Sequence, residues 1–409
     1  MASNAKNVAE LLNTDTTVKV ADIEDGSITT AKLAADAVTA AKLADDSVVT
    51  ANITDGAISL VKTSGIGGGG KNVIINSEMM IAQRGTSFAS VGNVYTLDRF
   101  AFYKQNSGAA FTVTQSTVTD LPGFGHALKV DCTTADTSLA ANEQGYIVTK
   151  IEGRELQRFA KGHGSDALPM TLSFYVKTNK TGVYTARIYD RDNGRNVSGS
   201  YTVANANWNR YTITFPADAS GKLDNDVNSS LEFFFNLYAG ADTNTGSLVT
   251  SWAASADAGS TTGQVNFADS TSNDWEITGI QLETGSSATP FEHRTRGEHL
   301  NACQRYLQDL TPTNSPYLPG SGSVPSNNNG VCVFHVALTV QMRTTPSLTA
   351  TAGNYRVYNG GSQTVTGMAV NGLSTVGGGI NCNAPNMVAR ECNGCFANGD
   401  HRTLIVAEL

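Results

Sequence analysis

No stretch of the chain approaches the roughly 20 consecutive apolar residues that a membrane-spanning helix needs, and no membrane insertion is expected. The opening residues Met1 to Lys6 lack the apolar core of a secretory signal, which predicts synthesis in a cytoplasm without export by that route. Positive charge is short as well. The 28 Lys and Arg stand against 36 Asp and Glu, so no basic stripe can offset phosphate repulsion and nucleic acid is excluded as a partner. The six histidines have no serine or cysteine partner at a recognisable spacing, and there is no G-x-S-x-G, which removes the usual nucleophilic hydrolases. Cysteine is sparse and uneven: Cys132, Cys303 and Cys332 stand apart, while Cys382, Cys392 and Cys395 crowd the far end. Most read as free thiols, because a disulfide framework belongs to small exported domains.

What is abundant is glycine, 40 of 409 residues, together with Ser, Thr, Asn and Ala. That composition suits turn-rich β structure, and the length allows two or three domains. Val8, Leu11 and Leu12 give a short amphipathic stretch, read as an attachment helix over residues 1–17. From Val18 an apolar residue recurs every fifth position, through Ile23, Ile28, Leu33, Val38, Leu43, Val48 and Ile53 to Ile58. Period five fits neither helix nor strand, and one aliphatic side chain per rung, about 1.5–3 kcal/mol, does not offset the ordering of five residues. Three chains sharing each apolar layer would, so residues 18–64 are expected to form a trimeric shaft. A flexible linker and a single-chain solenoid are the alternatives. Gly65 to Asn72 comes within one position of a phosphate-binding loop, but Asn72 replaces the required hydroxyl and a strand follows, so 65–71 is read as a hinge.

Beyond it the pattern alternates. Met170, Leu172, Phe174 and Val176 share one face, as do Tyr211, Ile213 and Phe215, and Leu231, Phe233, Phe235 and Leu237. With turns such as Asp192 to Gly194 and no βαβ rhythm, this predicts an all-β fold with an antiparallel jelly-roll-like sandwich over 72–294. Helical spacing from Gly297 to Leu310 predicts a connecting helix over 295–311. A Pro- and Gly-rich linker follows at 312–330, and a small β tip domain at 331–409.

Ile277 to Glu283, Ala288 to His293 and Cys303 to Tyr306, with Asn76 to Ser87 and Asp98 to Phe100, resemble the tail-fibre and related appendage proteins of tailed bacteriophages. The Ala-Lys-Leu-Ala repeats and the residues before Thr17 resemble virion proteins of marine phages, and Val340 to Pro346 with the terminal Ala407 to Leu409 is similar to that family's distal β-domain. This resemblance covers most of the chain. It implies a homotrimeric virion appendage anchored to other tail proteins at its N-terminus, with carbohydrate-binding-like sandwiches that adsorb to a host-surface glycan. The segment from Asn381 to His401 departs from any such pattern.

Enzyme activity is not expected and no cofactor is required. A polysaccharide-degrading tailspike needs two carboxylates facing each other across a groove, whereas Asp190, Asp192, Glu152 and Glu155 read as solvated surface. A capsid or neck fibre without receptor function is the other alternative. Glu292, His293, Glu298 and His299 fit helix capping better than a metal site. Cys382, Cys392, Cys395 and His401 form the one constellation with soft ligands, a weak zinc or iron candidate. For sugar stacking, Trp208 and Trp275 read as core, while Trp252, Tyr317, Tyr355 and Tyr358 lie in turn-rich context and are the receptor-binding candidates.

Overall fold

The computed structural model describes residues 27–29, 33, 37–39, 43, 70–311, 321–324, 330–350, 352–358, 362–385, 395–397 and 403–409. The chain divides into two compact units, Met1–Thr63 and Ser64–Leu409. In the first, the repeat positions Ile28, Leu33, Val38 and Leu43 are exposed. Val8, Leu11 and Leu12, expected to attach the chain, lie outside the described residues.

Two antiparallel sheets form most of the second unit. Their strands begin with β1 (Ser87–Phe88), β2 (Val94–Tyr95), β3 (Phe100–Gln105), β4 (Ala110–Thr117), β5 (His126–Thr134), β6 (Gln144–Glu152) and β7 (Met170–Thr178). They continue with β8 (Gly182–Asp190), β9 (Arg195–Val203), β10 (Asn209–Phe215), β11 (Ser229–Ala239), β12 (Ala253–Ala254) and β13 (Asp274–Thr284). A six-stranded sheet runs β1-β4-β5-β13-β7-β10 and faces a seven-stranded sheet, β12-β9-β8-β11-β6-β3-β2. Consecutive strands repeatedly change sheet, the connectivity of a jelly-roll-like sandwich. The alternating runs meet between the sheets: Leu172, Phe174, Val176, Ile213, Phe215, Leu231, Phe233, Phe235 and Leu237 are buried in one core around Trp275.

Buried polar side chains pin the start of the sandwich to its end. Asn72 donates to Ile280 O (2.9 Å), and its Oδ1 accepts from Ile74 N and Leu282 N. Asn76 donates to Ile81 O and Asp98 O, both at 2.9 Å. A bulge in β13, with Gly279 at φ +61, aims Gln281 at Glu283 (2.8 Å), whose carboxylate also holds Thr289. The bonds from Asn72 to Ile280 O and Leu282 N join segments more than 200 residues apart and add to the apolar pattern in fixing their register.

The helix expected over 295–311 is shorter. It spans Arg296–Gln304 (α1), opened by a capping box in which Thr295 Oγ1 accepts from Glu298 N and the Glu298 carboxylate accepts from Thr295 N. Helical spacing fails beyond it because Leu307–Asp309 is a strand, β14, paired with the chain's last strand. The strands that follow are β15 (Ser321–Ser323), β16 (Val331–Ala337), β17 (Ser347–Thr349), β18 (Tyr355–Tyr358), β19 (Ser362–Thr364), β20 (Gly367–Ser374), β21 (Gly377–Asn383), β22 (Cys395–Ala397) and β23 (Leu404–Val406). They form three small sheets, β14-β23-β17, β15-β16-β21-β20 and β19-β18-β22, around a separate core that includes Phe334, Tyr355, Ile380 and Ile405.

This smaller domain docks on the sandwich through charge. Arg99 is buried, stacks 3.5 Å over the Tyr306 ring and contacts Glu408, which Arg84 also reaches at 3.0 Å. Tyr306 donates to Glu152 Oε1 (2.5 Å), and Arg305 grips both oxygens of Glu152 at 2.8 Å. Glu152 is therefore fully buried, contrary to its expected place on the solvated surface; Arg305 and Tyr306 lie some 150 residues away, and Arg154 adds a local contact at 2.9 Å. Burial pushes its carboxyl up, but the hydrogen bonds from Arg305 and Tyr306 outweigh that and hold it below the ordinary carboxylate value. With the folded pKa below the unfolded one of about 4.3, its stabilisation is complete above that pH and is lost as pH falls through the folded value. Melting of Glu152→Gln should accordingly be less pH-dependent than wild type as pH falls below about 4.3. Parallel curves for the two proteins would contradict this role.

Candidate functional site

The outer face of the seven-stranded sheet is set by strand alternation. On β6, Ile147 and Ile151 point into the core, so Gln144, Tyr146, Val148 and Lys150 face outward; on β11, Phe233 and Phe235 point in and Glu232, Phe234 and Asn236 out. Register then places Tyr103 beside Tyr146, Val148 beside Phe234, and Phe234 beside Arg187 of β8. These side chains touch. The Tyr103 and Tyr146 rings stack with centroids 5.8 Å apart, and Phe234 meets Tyr146 edge-on at 4.9 Å. The Arg187 guanidinium lies 5.4 Å from the Phe234 centroid and 5.5 Å from that of Tyr189.

Tyr103, Tyr146, Tyr189, Phe234 and Arg187 are half-buried, so ring surface remains open. Polar groups flank the rings at both ends. At one, Glu232 draws Lys150 (3.6 Å) and Arg191 (3.4 Å); at the other, Gln144 donates to Gln105 (2.7 Å) beside a cavity of about 100 Å³ that Asn142, Asp242 and Asp257 also line. From Gln144 to Lys150 the strand covers about 20 Å at 3.3 Å per residue. Burial pushes the Tyr146 hydroxyl up to about 12, with Glu232 adding to it, so at neutral pH it is a donor. Burial also pulls Arg187 below its ordinary value, and its Nε is buried without a partner. The arrangement combines apolar ring faces with donors and acceptors along a shallow strip, the chemistry that a sugar's C–H faces and hydroxyls require.

None of these residues was singled out from the sequence, although one signal was there: Phe234 lies between two core phenylalanines, and an alternating strand must aim it outward. The residues that were singled out lie elsewhere. Tyr355 is fully buried, sharing a hydrogen bond with Thr403 (2.5 Å), because Tyr355 and Val357 take the inward positions of β18; it is not a surface contact. Tyr358 closes the same strand, and Tyr317, Cys392 and His401 lie outside the described residues. Trp252 is half-buried as a lid: its Nε1 donates to Pro216 O (2.8 Å) and its ring covers the Lys161 ammonium at 4.4 Å. Beneath that lid Lys161 bonds Asp190, Asp218 (3.0 Å) and Gly221 O (2.8 Å), while Arg195 completes Asp218 at 2.8 Å. Asp190 is thus fully buried, against its expected exposure, whereas Glu155 is exposed. Burial raises the Asp218 carboxyl, but the bonds from Lys161 and Arg195 bring it below its ordinary value.

Trp275 is core, as expected, but Trp208 is not. It packs half-buried with Phe124, Tyr175 and Phe291 in a satellite cluster, with Nε1 on Asp120 (2.9 Å). His293 and His299 both bind Glu78, at 3.1 and 3.2 Å, and Glu292 accepts from Asn72 N (2.8 Å). Cys382 and Cys395 are buried with sulfurs 3.7 Å apart, and Cys332 is disulfide-bonded. Among the described residues no group of three metal-ligating side chains is assembled.

No family model matches the chain, and no curated protein matches it. Solved structures do. The enzymatically active domain of tailspike protein 4 of bacteriophage CBA120 is 10% identical over 52% of this chain and 21% of that one, with a TM-score of 0.28. A family 11 carbohydrate-binding module of a Clostridium thermocellum cellulosomal cellulase is 14% identical over 50% of this chain and 96% of that one, with a TM-score of 0.25. A xylan-binding domain of Paenibacillus barcinonensis is 13% identical over 49% and 94%, with a TM-score of 0.25. The chain thus spans about a fifth of the length of the tailspike structure it matches.

Proposed function

We propose that this chain is the subunit of a trimeric bacteriophage tail fibre that binds a host-surface glycan without cleaving it. The observation that carries the reading is the strip of Tyr103, Tyr146 and Phe234 with Arg187 on the outer sheet face, half-open and bounded by polar groups. Truncating either Tyr146 or Phe234 to Ala should weaken glycan binding by about tenfold or more, as for anchoring aromatics generally. A glycan array probed with the full-length protein, followed by titration with the best oligosaccharide, measures this. Unchanged affinity in both folded variants would sink the assignment, and release of reducing ends from host polysaccharide would replace binding with hydrolysis.

The repeat supports the trimer. Ile28 is 55% exposed, Leu33 45%, Val38 53% and Leu43 46%, so one chain leaves its regularly spaced aliphatic side chains uncovered. Three identical chains in register cover them with closed symmetry. Residues 1–17, with Val8, Leu11 and Leu12, then attach the fibre to the virion, and the chain from Gly70 onward carries specificity. Weak sites on one fibre add through effective concentration, so monovalent affinity need not be high.

A further inference from the structure

We propose that Cys382 and Cys395 are the two halves of an oxidisable pair that forms a disulfide cross-link between two sheets of the C-terminal domain. Cys382 belongs to β21 in the four-stranded sheet and Cys395 to β22 in a three-stranded one. Both are fully buried in the same core, and their sulfurs lie 3.7 Å apart. A disulfide requires about 2.05 Å, so an approach of about 1.6 Å, within reach of side-chain rotation and small backbone shifts, closes the bond. The other free thiols differ. Cys132 Sγ faces carbonyl oxygens, Thr134 O at 3.4 Å and Ala268 O at 3.7 Å, and buried Cys303 lies on α1. Cys332, the ladder partner of Cys382, is already disulfide-bonded, so this corner of the domain accommodates oxidised sulfur.

The fold has a use for the link. Among the described residues β22 is a three-residue edge strand paired with β18 alone, and the surrounding sheets have three or four strands. Small cores of that kind gain most from a covalent staple. With a small-molecule disulfide such as oxidised glutathione, one cysteine thiolate attacks a sulfur and releases the first glutathione thiolate; the second cysteine thiolate then displaces the other. The two protons leave the protein thiols for the two glutathione thiolates, and two electrons reduce the reagent. Burial of both sulfurs means that the exchange runs before β22 docks or when that edge opens.

The test uses the full-length protein, purified without reductant, incubated with oxidised glutathione, then alkylated under denaturing conditions and digested. A peptide pair joined through Cys382 and Cys395 is expected, with both residues alkylated only after reduction. Oxidation should raise the melting temperature of the C-terminal domain by about 10 °C, and Cys395→Ser should abolish that rise. Peptide mapping of the wild type decides the matter even if the serine variant fails to fold. Complete alkylation of both residues after oxidation, or either residue joined to a different cysteine, would overturn the proposal. So would one equivalent of zinc per chain, by elemental analysis, shielding both thiols.

Discussion

Replacing Lys161 by Ala is expected to destabilise the sandwich by about 3–5 kcal/mol, the cost of leaving buried carboxylates without their cation. Lys161 and Asp190 are fully buried and Asp218 nearly so; with Arg195 the four charges balance. Without the ammonium, two carboxylates share one arginine, Gly221 O loses its donor, and the Trp252 ring lies over a void. Total stability of a domain this size is only about 5–15 kcal/mol, so the variant should melt well below wild type and express poorly. Lys161→Met keeps most of the stem and should be nearly as unstable, because the missing charge rather than the missing volume is the cause. A Met variant within about 1 kcal/mol of wild type in denaturant melts would show that the charge is dispensable.

Changing Leu33, Val38 and Leu43 together to Asp is expected to convert the proposed trimer to monomers. Each substitution would bring three carboxylates towards one axis in place of three aliphatic side chains, each of which contributes about 1.5–3 kcal/mol when buried. The variant should sediment as a single chain while the sandwich melts as in wild type, since residues up to Thr63 form a unit of their own. A triple variant that remains trimeric would place the association elsewhere.

The strands of the sandwich were legible because alternation is a local signal: Leu172, Phe174 and Val176 are buried in the positions that their spacing dictates, and so are Leu231, Phe233 and Phe235. The buried charges were not legible. Glu152 and Asp190 stand in polar surroundings in the sequence; the neighbours Arg154 and Asn193 reach them locally, but the charges that pair with them in the interior, Arg305 and Lys161, come from elsewhere in the chain. The helical spacing up to Leu310 misled for the same reason, since the partner of β14 lies almost 100 residues downstream. At the candidate site the aromatic residue types were visible, but their assembly depends on the register of β3, β6, β8 and β11, which no single strand encodes.

The pairing of β14 with β23 has a modular consequence. A chain that leaves a sheet on one strand and returns on its immediate neighbour has its two splice points side by side, within a single strand spacing of about 4.8 Å. The intervening chain leaves and returns at one place, but β17 within it pairs with β23 and Arg343 reaches Val227 O (3.0 Å), Ala407 O (3.0 Å) and Glu408 O (2.8 Å), so it is the turns making neither contact that can be lengthened or trimmed while Leu307–Asp309 and Leu404–Val406 stay in register and Glu408 keeps its place on Arg99. Diversity in those turns can accumulate without renegotiating the sandwich.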